Sequence, residues 1–490
     1  MDIFLRKINS VWSRIEANEG IVREISSAFS FPVQGREFMP AYRKKYWDGI
    51  IRLVRNGKVY SGLSKSIEEW AKEHNYSFST DLDFSQPITK LPFSKWYASG
   101  ETITPRDYQI KAIYHSAKAK RAIFLSPTAS GKSIIIYTIA RNLLTKVEGK
   151  ILILVPTTSL VEQLYSDFID YAGKDWDAIS ECTRIYSGMP RENKRIVIST
   201  WQSLYDLPAK AFDPFDAVIG DECHLYKSKE ISGLLEKMGS ADYRYGFTGT
   251  LDGTQTNKMI LEGLFGPVVQ VATTSQLVKE KHLANFKINC IILEHEEKIR
   301  KEAKEWNYEE ELQFLFSHEK RNRFLVDLSK ATKGNTLLLF SRVETHGEVI
   351  YNMLKEATDR DVYFIYGGTQ THIREDVRKK VEEAQNAIIV ASTQVFSTGI
   401  NIKSLANIIF AYPSKSRIRT LQSIGRVLRL SSKKDIANVY DISDNLSWKE
   451  KRNYTFNHFV ERLKIYSSED FNYVITKTNL EDLYGNSLEL

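Results

Sequence analysis

From Arg106 onward, short apolar runs rich in β-branched residues alternate with segments whose apolar positions recur at helical spacing. The runs are Ala122–Leu125, Ile151–Val155, Ile196–Ser199, Ala217–Gly220, Thr336–Phe340, Ala387–Ala391 and Asn407–Ala411. They are continuous rather than alternating, which is the pattern of strands buried on both faces of a parallel sheet with helices between them. An α/β architecture follows. The runs form two sets on either side of residues 272–330, where the charged stretch Glu294–Lys304 leads into a helical segment, Tyr308–Lys333. Two doubly wound parallel-sheet lobes in tandem are the economical arrangement.

The ends of the chain differ from this pattern. The first 90 residues carry short strands, the turn dipeptides Asp48-Gly49 and Asn56-Gly57, and one amphipathic helix near Ser64–His74. They are expected to form a small α+β domain joined to the first lobe through the Pro-bearing stretch Ser85–Pro105. Ser447–Lys477 mixes aromatic and charged residues at approximate helical spacing, so a helical tail packed on the second lobe is expected. The predicted domains are 1–90, 91–275, 276–446 and 447–490.

Composition narrows the classes without naming one. The 490-residue chain is 42% hydrophobic and 26% charged, as in an ordinary globular protein. Its longest apolar runs, Ile134–Ala140 and Ile151–Pro156, fall short of the roughly 18–20 residues a membrane span requires, and the N-terminus lacks a signal-peptide stretch. A cytoplasmic protein without membrane partners is expected. Cys182, Cys223 and Cys290 are too widely spaced for a zinc site and odd in number, and are expected to be reduced and structural. The net charge of +7 is mild, but it is not evenly spread. Between Arg36 and Lys58 seven basic residues face two acidic ones, a surplus of five, interleaved with Tyr42, Tyr46 and Trp47. Such a stretch suits phosphate neutralisation and stacking on nucleic acid, with Arg43, Lys44, Lys45, Trp47 and Arg52 as candidate contacts. The plainer alternatives are a solvated hairpin and a Trp47 that belongs to the core.

The chemistry concentrates in two segments. Ser126, Pro127, Thr128, Ala129, Ser130, Gly131, Lys132 and Ser133 follow a strand and open the helical run Ile134–Leu144. Free amide N–H groups and the helix dipole then both face a bound anion, as a phosphate cradle requires. Lys132 would meet the β- and γ-phosphates of ATP, and the Ser133 hydroxyl would ligate Mg²⁺. Ser126 stands where the strict pattern has its first glycine. In the second segment, Asp221, Glu222, Cys223 and His224 follow the strand Phe215–Gly220, at the sheet edge where open α/β folds bind ligands. Asp221 can hold Mg²⁺, and Glu222 can orient and deprotonate the water that attacks the γ-phosphate. An acidic pair after a strand is otherwise most often a helix cap.

With these residues the sequence resembles the superfamily-two helicases and translocases, whose acidic box often reads D-E-x-H, as in Asp221–His224. The other motifs of that family follow in order from Arg106 to Arg429. The resemblance implies two RecA-like lobes sharing an ATP site, with His224 in the catalytic set. It implies that Arg106 and Gln109 belong to an adenine-reading motif, and that Thr157, Thr200, Gln202 and Thr393 grip the tracked strand. It makes Thr248-Gly249-Thr250 the motif that couples hydrolysis to DNA binding, and assigns Gly399 to nucleotide contact. Arg426 and Arg429 would stabilise transition-state charge on the γ-phosphate, an effect on the order of 10³–10⁵ in rate for arginine fingers. Asn401 stands where many relatives carry an acidic residue.

Both ends sharpen the resemblance. Phe29-Ser30-Phe31, the Phe38–Arg43 segment and Trp47-Asp48-Gly49 with Ile51-Arg52-Leu53 are similar to the N-terminal domain of bacteriophage UvsW-type recombination helicases. Phe471–Val474 and Lys477–Leu480 resemble their C-terminal helix. That subgroup implies an ATP- and Mg²⁺-dependent DNA helicase of 3′→5′ polarity acting on branched, duplex and single-stranded DNA as a monomer. Its work would be branch migration, fork regression and unwinding of D-loops or R-loops in phage recombination, replication and repair. The alternatives are an RNA-dependent ATPase, a restriction-type duplex translocase, or an ATP-independent strand-annealing protein.

Overall fold

The computed structural model describes residues 1–484 except 34, 187–191, 227–228, 252–253, 394, 396–401, 403, 415, 417–419, 422 and 426–435, and leaves aside the side chain of Thr371. It divides into two compact units, 1–126 with 131–272 and 127–130 with 273–490.

The first unit holds a seven-stranded sheet ordered Cys182–Ile185, Ile196–Thr200, Lys150–Val155, Phe215–Gly220, Tyr243–Thr248, Arg121–Leu125, Val268–Gln270, with all neighbours parallel. Residues 151–155 are all buried, as a strand covered on both faces must be. The second unit repeats the design in the order Val362–Ile365, Ile388–Ser392, Asn335–Phe340, Leu405–Phe410, Ile436–Asn445, Asn285–Glu294, Tyr473–Asn479, again all parallel. The helical segment expected over Tyr308–Lys333 is two helices, Tyr308–Ser317 and Glu319–Ala331. The break is at His318, whose ring accepts the Arg321 backbone N–H and so starts the second helix.

At the N-terminus, four strands pair in the order Lys58–Tyr60, Trp12–Ala17, Ile3–Lys7, Phe78–Thr80, with helices Glu19–Ala28 and Ser64–Glu73 beside them. This small sheet has its own ladder but not its own core. Ile3, Leu5, Leu63 and Ile67 belong to one buried cluster with Ile123, Leu152, Leu264 and Phe265 of the larger sheet and its helices. The backbones meet so closely that a Cβ at Gly62 would lie 2.2 Å from the Glu262 carbonyl oxygen. Polar ties reinforce the seam. The buried Arg121 guanidinium donates to the Ser10 carbonyl, Lys7 pairs with Asp242 at 3.0 Å, and the Tyr60 hydroxyl donates to Glu236 at 2.6 Å. The connecting stretch also packs: the hairpin Trp96–Ala98/Glu101–Ile103 docks through the Trp96 indole N–H, which donates to the Thr138 hydroxyl at 2.8 Å.

The tail begins as a helix, Tyr454–Ser468, and then adds the edge strand Tyr473–Asn479, parallel to Asn285–Glu294, so the segment expected to be helical throughout changes type midway. The helix is pinned by a buried ion pair. Arg462 donates to Asp441 at 2.7–3.0 Å and to the Ser414 carbonyl at 2.8 Å, while the Tyr466 hydroxyl donates to Asp441 at 2.8 Å. Arg462→Ala strands a buried carboxylate and is expected to cost about 3–5 kcal/mol, read as a lowered midpoint in urea denaturation. An unchanged midpoint would show that the tail is held some other way. The three cysteines are buried and free, and among the described residues no helix is long and apolar enough to cross a membrane.

Candidate functional site

The strand Arg121–Leu125 ends in the loop 126–131, and the helix Lys132–Leu143 starts directly after it. The Ser126 N–H donates to the Thr248 carbonyl of the adjacent strand at 2.8 Å, which fixes the loop's entry, and the Ser130 hydroxyl donates to the Pro127 carbonyl at 2.6 Å. Ala129 and Gly131 have φ of +65° and +79°, a left-handed path that keeps the turn tight. A Cβ at Gly131 would come within 2.5 Å of Gln109 Nε2. Gln109 is buried, and its Oε1 accepts the Arg106 backbone N–H at 2.8 Å, so the residue expected to read the base caps its own helix while packing against the phosphate loop. Arg106 donates to the Tyr108 hydroxyl at 2.8 Å.

Lys132 Nζ lies 3.9 Å from Glu222 Oε1 and 3.5 Å from the Ser126 carbonyl. Glu222 itself has a φ of +49°, which is strained for a residue with a Cβ and is a feature that clusters at active sites. His224 is buried, with Nδ1 2.9 Å from the Thr248 hydroxyl and 3.4 Å from Glu222 Oε2. Thr248 in turn donates to the Thr250 carbonyl at 2.8 Å. The acidic box and the Thr248–Thr250 segment are thereby joined side chain to side chain.

Asp221 is half-buried, with its backbone N–H on the Leu154 carbonyl at 2.9 Å. Burial first, and then the neighbouring Glu222 charge, push its carboxyl up to about 6, against the opposing pull of Lys132. The carboxylate that would bind a metal is thus gained as pH rises through about 6, and a cation beside it would relieve the excess negative charge. Among the described residues no group of three His, Cys, Asp or Glu could hold a metal. A magnesium ion would then rest on the Ser133 hydroxyl, Asp221 and the nucleotide's own phosphates, which suits its preference for few protein ligands.

Nothing in the spacing of the motifs pointed to Tyr171. Its hydroxyl lies 2.8 Å from Ser133 Oγ, reaching from the helix Thr158–Ala172, and burial pushes that hydroxyl up to about 12. The same helix begins at Thr157, whose hydroxyl caps it by accepting the Leu160 N–H. The expected metal ligand and the expected strand-gripping residue therefore share one helix as neighbour and cap.

The remaining candidates are dispersed. Thr200 is buried against Ser203 at 2.9 Å, Gln202 is exposed, and the buried Thr393 donates to the Phe340 carbonyl at 3.3 Å. Lys44 and Lys45 are exposed. Arg43 donates to the Glu37 carbonyl at 2.9 Å, Arg52 is paired with Asp48, and the half-buried Trp47 donates to the Ile50 carbonyl at 3.2 Å. Gly399, Arg426 and Arg429 lie outside the described residues.

Comparison with known proteins agrees along the chain. Residues 2–81 match the family model of the DNA helicase UvsW N-terminal domain, residues 102–253 that of the Type III restriction enzyme res subunit, and residues 320–431 that of the helicase conserved C-terminal domain. The ATP-dependent DNA helicase uvsW of Enterobacteria phage T4 is 33% identical over 494 residues, covering 95% of this chain and 97% of that protein. The DNA 3′-5′ translocase XPB2 of Sulfurisphaera tokodaii is 26% identical over 77% of this chain and 89% of its own. The crystal structure of T4 UvsW superposes with a TM-score of 0.52 at 30% identity, covering 98% of this chain and 100% of that one.

Proposed function

Because this chain belongs to the UvsW family of superfamily-two helicases and is an ATP-dependent DNA helicase with two RecA-like lobes, we propose that its substrate is branched DNA and that it migrates junctions, regresses forks and unwinds D-loops or R-loops with 3′→5′ polarity. The observation that carries this reading is the common core of the N-terminal sheet and the first lobe. A module fused to the motor in this way moves with it, so whatever it holds is pushed by each stroke of the ATPase. The exposed Lys44 and Lys45 with Arg43 give that module a phosphate-binding edge. The name of the XPB2 relative supports the polarity.

Within the ATP site we assign Lys132 and the loop 127–131 to the phosphates, Ser133 and Asp221 to Mg²⁺, and Glu222 to the attacking water. Mg²⁺, when bound, supplies charge neutralisation across the β- and γ-phosphates. Lys132 holds the phosphate tail against the loop, Glu222 accepts the water's proton, and His224 relays the state of the acidic box to Thr248. Arg106, Gln109 and Gly399 belong to nucleotide recognition, Arg426 and Arg429 to transition-state charge, and Thr157, Thr200, Gln202 and Thr393 to the tracked strand.

An ATP-driven assay on a synthetic four-way junction beside a tailed duplex tests the proposal. Junction migration with ATP, and none without it, is expected. Stimulation of ATP hydrolysis by RNA alone would sink the DNA-branch reading, and junction rearrangement without ATP would favour simple annealing.

A further inference from the structure

A cleft of about 880 Å³ opens within the first unit, between the N-terminal sheet and the first lobe. Its lining holds five basic side chains, Arg52, Arg55, Lys58, Lys229 and Lys237, against two acidic ones, Asp206 and Glu236. Internal bonds account for part of that charge. Arg52 is paired with Asp48, Glu236 accepts the Tyr60 hydroxyl, and Lys237 donates to the Tyr205 and Leu207 carbonyls at 2.7 and 2.9 Å. Arg55, Lys58 and Lys229 form no ion pair among the described residues. Lys58 instead rests over the Trp12 indole, 4.1 Å from its centroid.

The cleft also holds a partly exposed aromatic ring, over which Lys237 Nζ lies 5.5 Å from the centroid, and it adjoins the segment assigned above to the tracked strand. Tyr205 is 39% exposed, and its ring meets Trp201 edge-on at 6.2 Å between centroids. Trp201 directly follows Thr200, at the end of the segment assigned to the tracked strand. Three cations outside any ion pair, against Asp206 and Glu236 in the same lining, and a partly exposed ring beside that segment are the elements of a single-strand site, in which cations meet phosphates and a ring stacks a base. The volume is that of a small-ligand pocket, roughly 300–1,000 Å³, so it admits a short length of one strand and not a duplex. Both walls share one core, so the site is formed before the ligand arrives.

We propose that this cleft is a second nucleic-acid site, taking a short segment of single strand continuous with the Thr200–Gln202 contact, with phosphates on Arg55, Lys58 and Lys229 and a base on Tyr205. The proposal rests on the chain being a DNA helicase and on the assignment of Thr200 and Gln202 to the tracked strand, not on the branched-substrate reading. A strand led through this cleft would be separated from its complement on the far side of the motor segment.

The test uses the full chain and fluorescence anisotropy with a labelled oligothymidylate across a salt series. The combined variant Arg55→Ala, Lys58→Ala, Lys229→Ala is expected to weaken binding and to reduce the slope of log K against log salt by about 2, the value for three lost phosphate contacts on a single strand. Tyr205→Ala is expected to weaken oligothymidylate binding several-fold with the slope unchanged, and to leave polyglutamate binding untouched. All four residues are exposed surface positions, and an unchanged thermal midpoint establishes that the variants fold. An unaltered salt slope in the triple variant would overturn the proposal, as would equal losses for polyglutamate and oligothymidylate in Tyr205→Ala, which would mark an acidic-peptide surface. Failure of the junction assay with the slope change intact would count against branched DNA and not against this cleft.

Discussion

Glu222→Gln is expected to lower ATP turnover by about 10²–10⁴-fold, the usual contribution of a general base, while nucleotide binding persists. Glutamine keeps the side chain's shape but cannot take a proton. Glu222 is well placed to act as that base, being held at a φ of +49° at the end of a buried strand, with its carboxylate between Lys132 and His224. The same substitution removes the second-largest cause of the raised Asp221 carboxyl, so Asp221 is expected to titrate closer to an ordinary carboxylate. Phosphate release and binding of a fluorescent ATP analogue measure the two halves separately. Turnover near the wild-type rate would remove Glu222 from the mechanism.

Lys132→Ala is expected to lower turnover by at least about 10²–10³-fold, as loss of a preorganised donor to developing charge does, and to weaken ATP binding as well. The loss of affinity distinguishes it from Glu222→Gln. Lys132 exerts the largest pull holding the Asp221 carboxyl down, so its removal leaves two acidic groups facing each other with less compensation. The Asp221 carboxyl is then expected to rise above about 6, and Mg²⁺-dependent activity that remains should move to higher pH. A variant that binds ATP as the parent does would show that the backbone amides of residues 127–131 suffice and that Lys132 is not the phosphate anchor.

Much of this site was legible because its parts are local. A buried strand followed by a small-residue turn and a helix start can be read from a dozen consecutive residues, as can two carboxylates after Phe215–Gly220. The seven apolar runs identified as strands all lie in the two parallel sheets, since burial on both faces leaves a continuous apolar signature. The edge strand Tyr473–Asn479 was read as helix for the converse reason. Most of its side chains are exposed, and it is held by ladder hydrogen bonds to Asn285–Glu294, which leave no periodic trace in the side chains.

Fold class, motif order and the residues proposed to handle a nucleotide were readable in the chain alone, because each depends on near neighbours. Which of those residues meet is a property of the folded molecule. Tyr171 reaches Ser133, His224 reaches Thr248, and Arg121 donates to Ser10, across separations of 38, 24 and 111 residues. Folding likewise gives the N-terminal sheet and the first lobe a common core, and turns Lys58 and Lys229 toward one cleft. Such pairings arise from the packing of whole elements, whose geometry is set by side-chain volume and sheet twist rather than by any spacing along the chain.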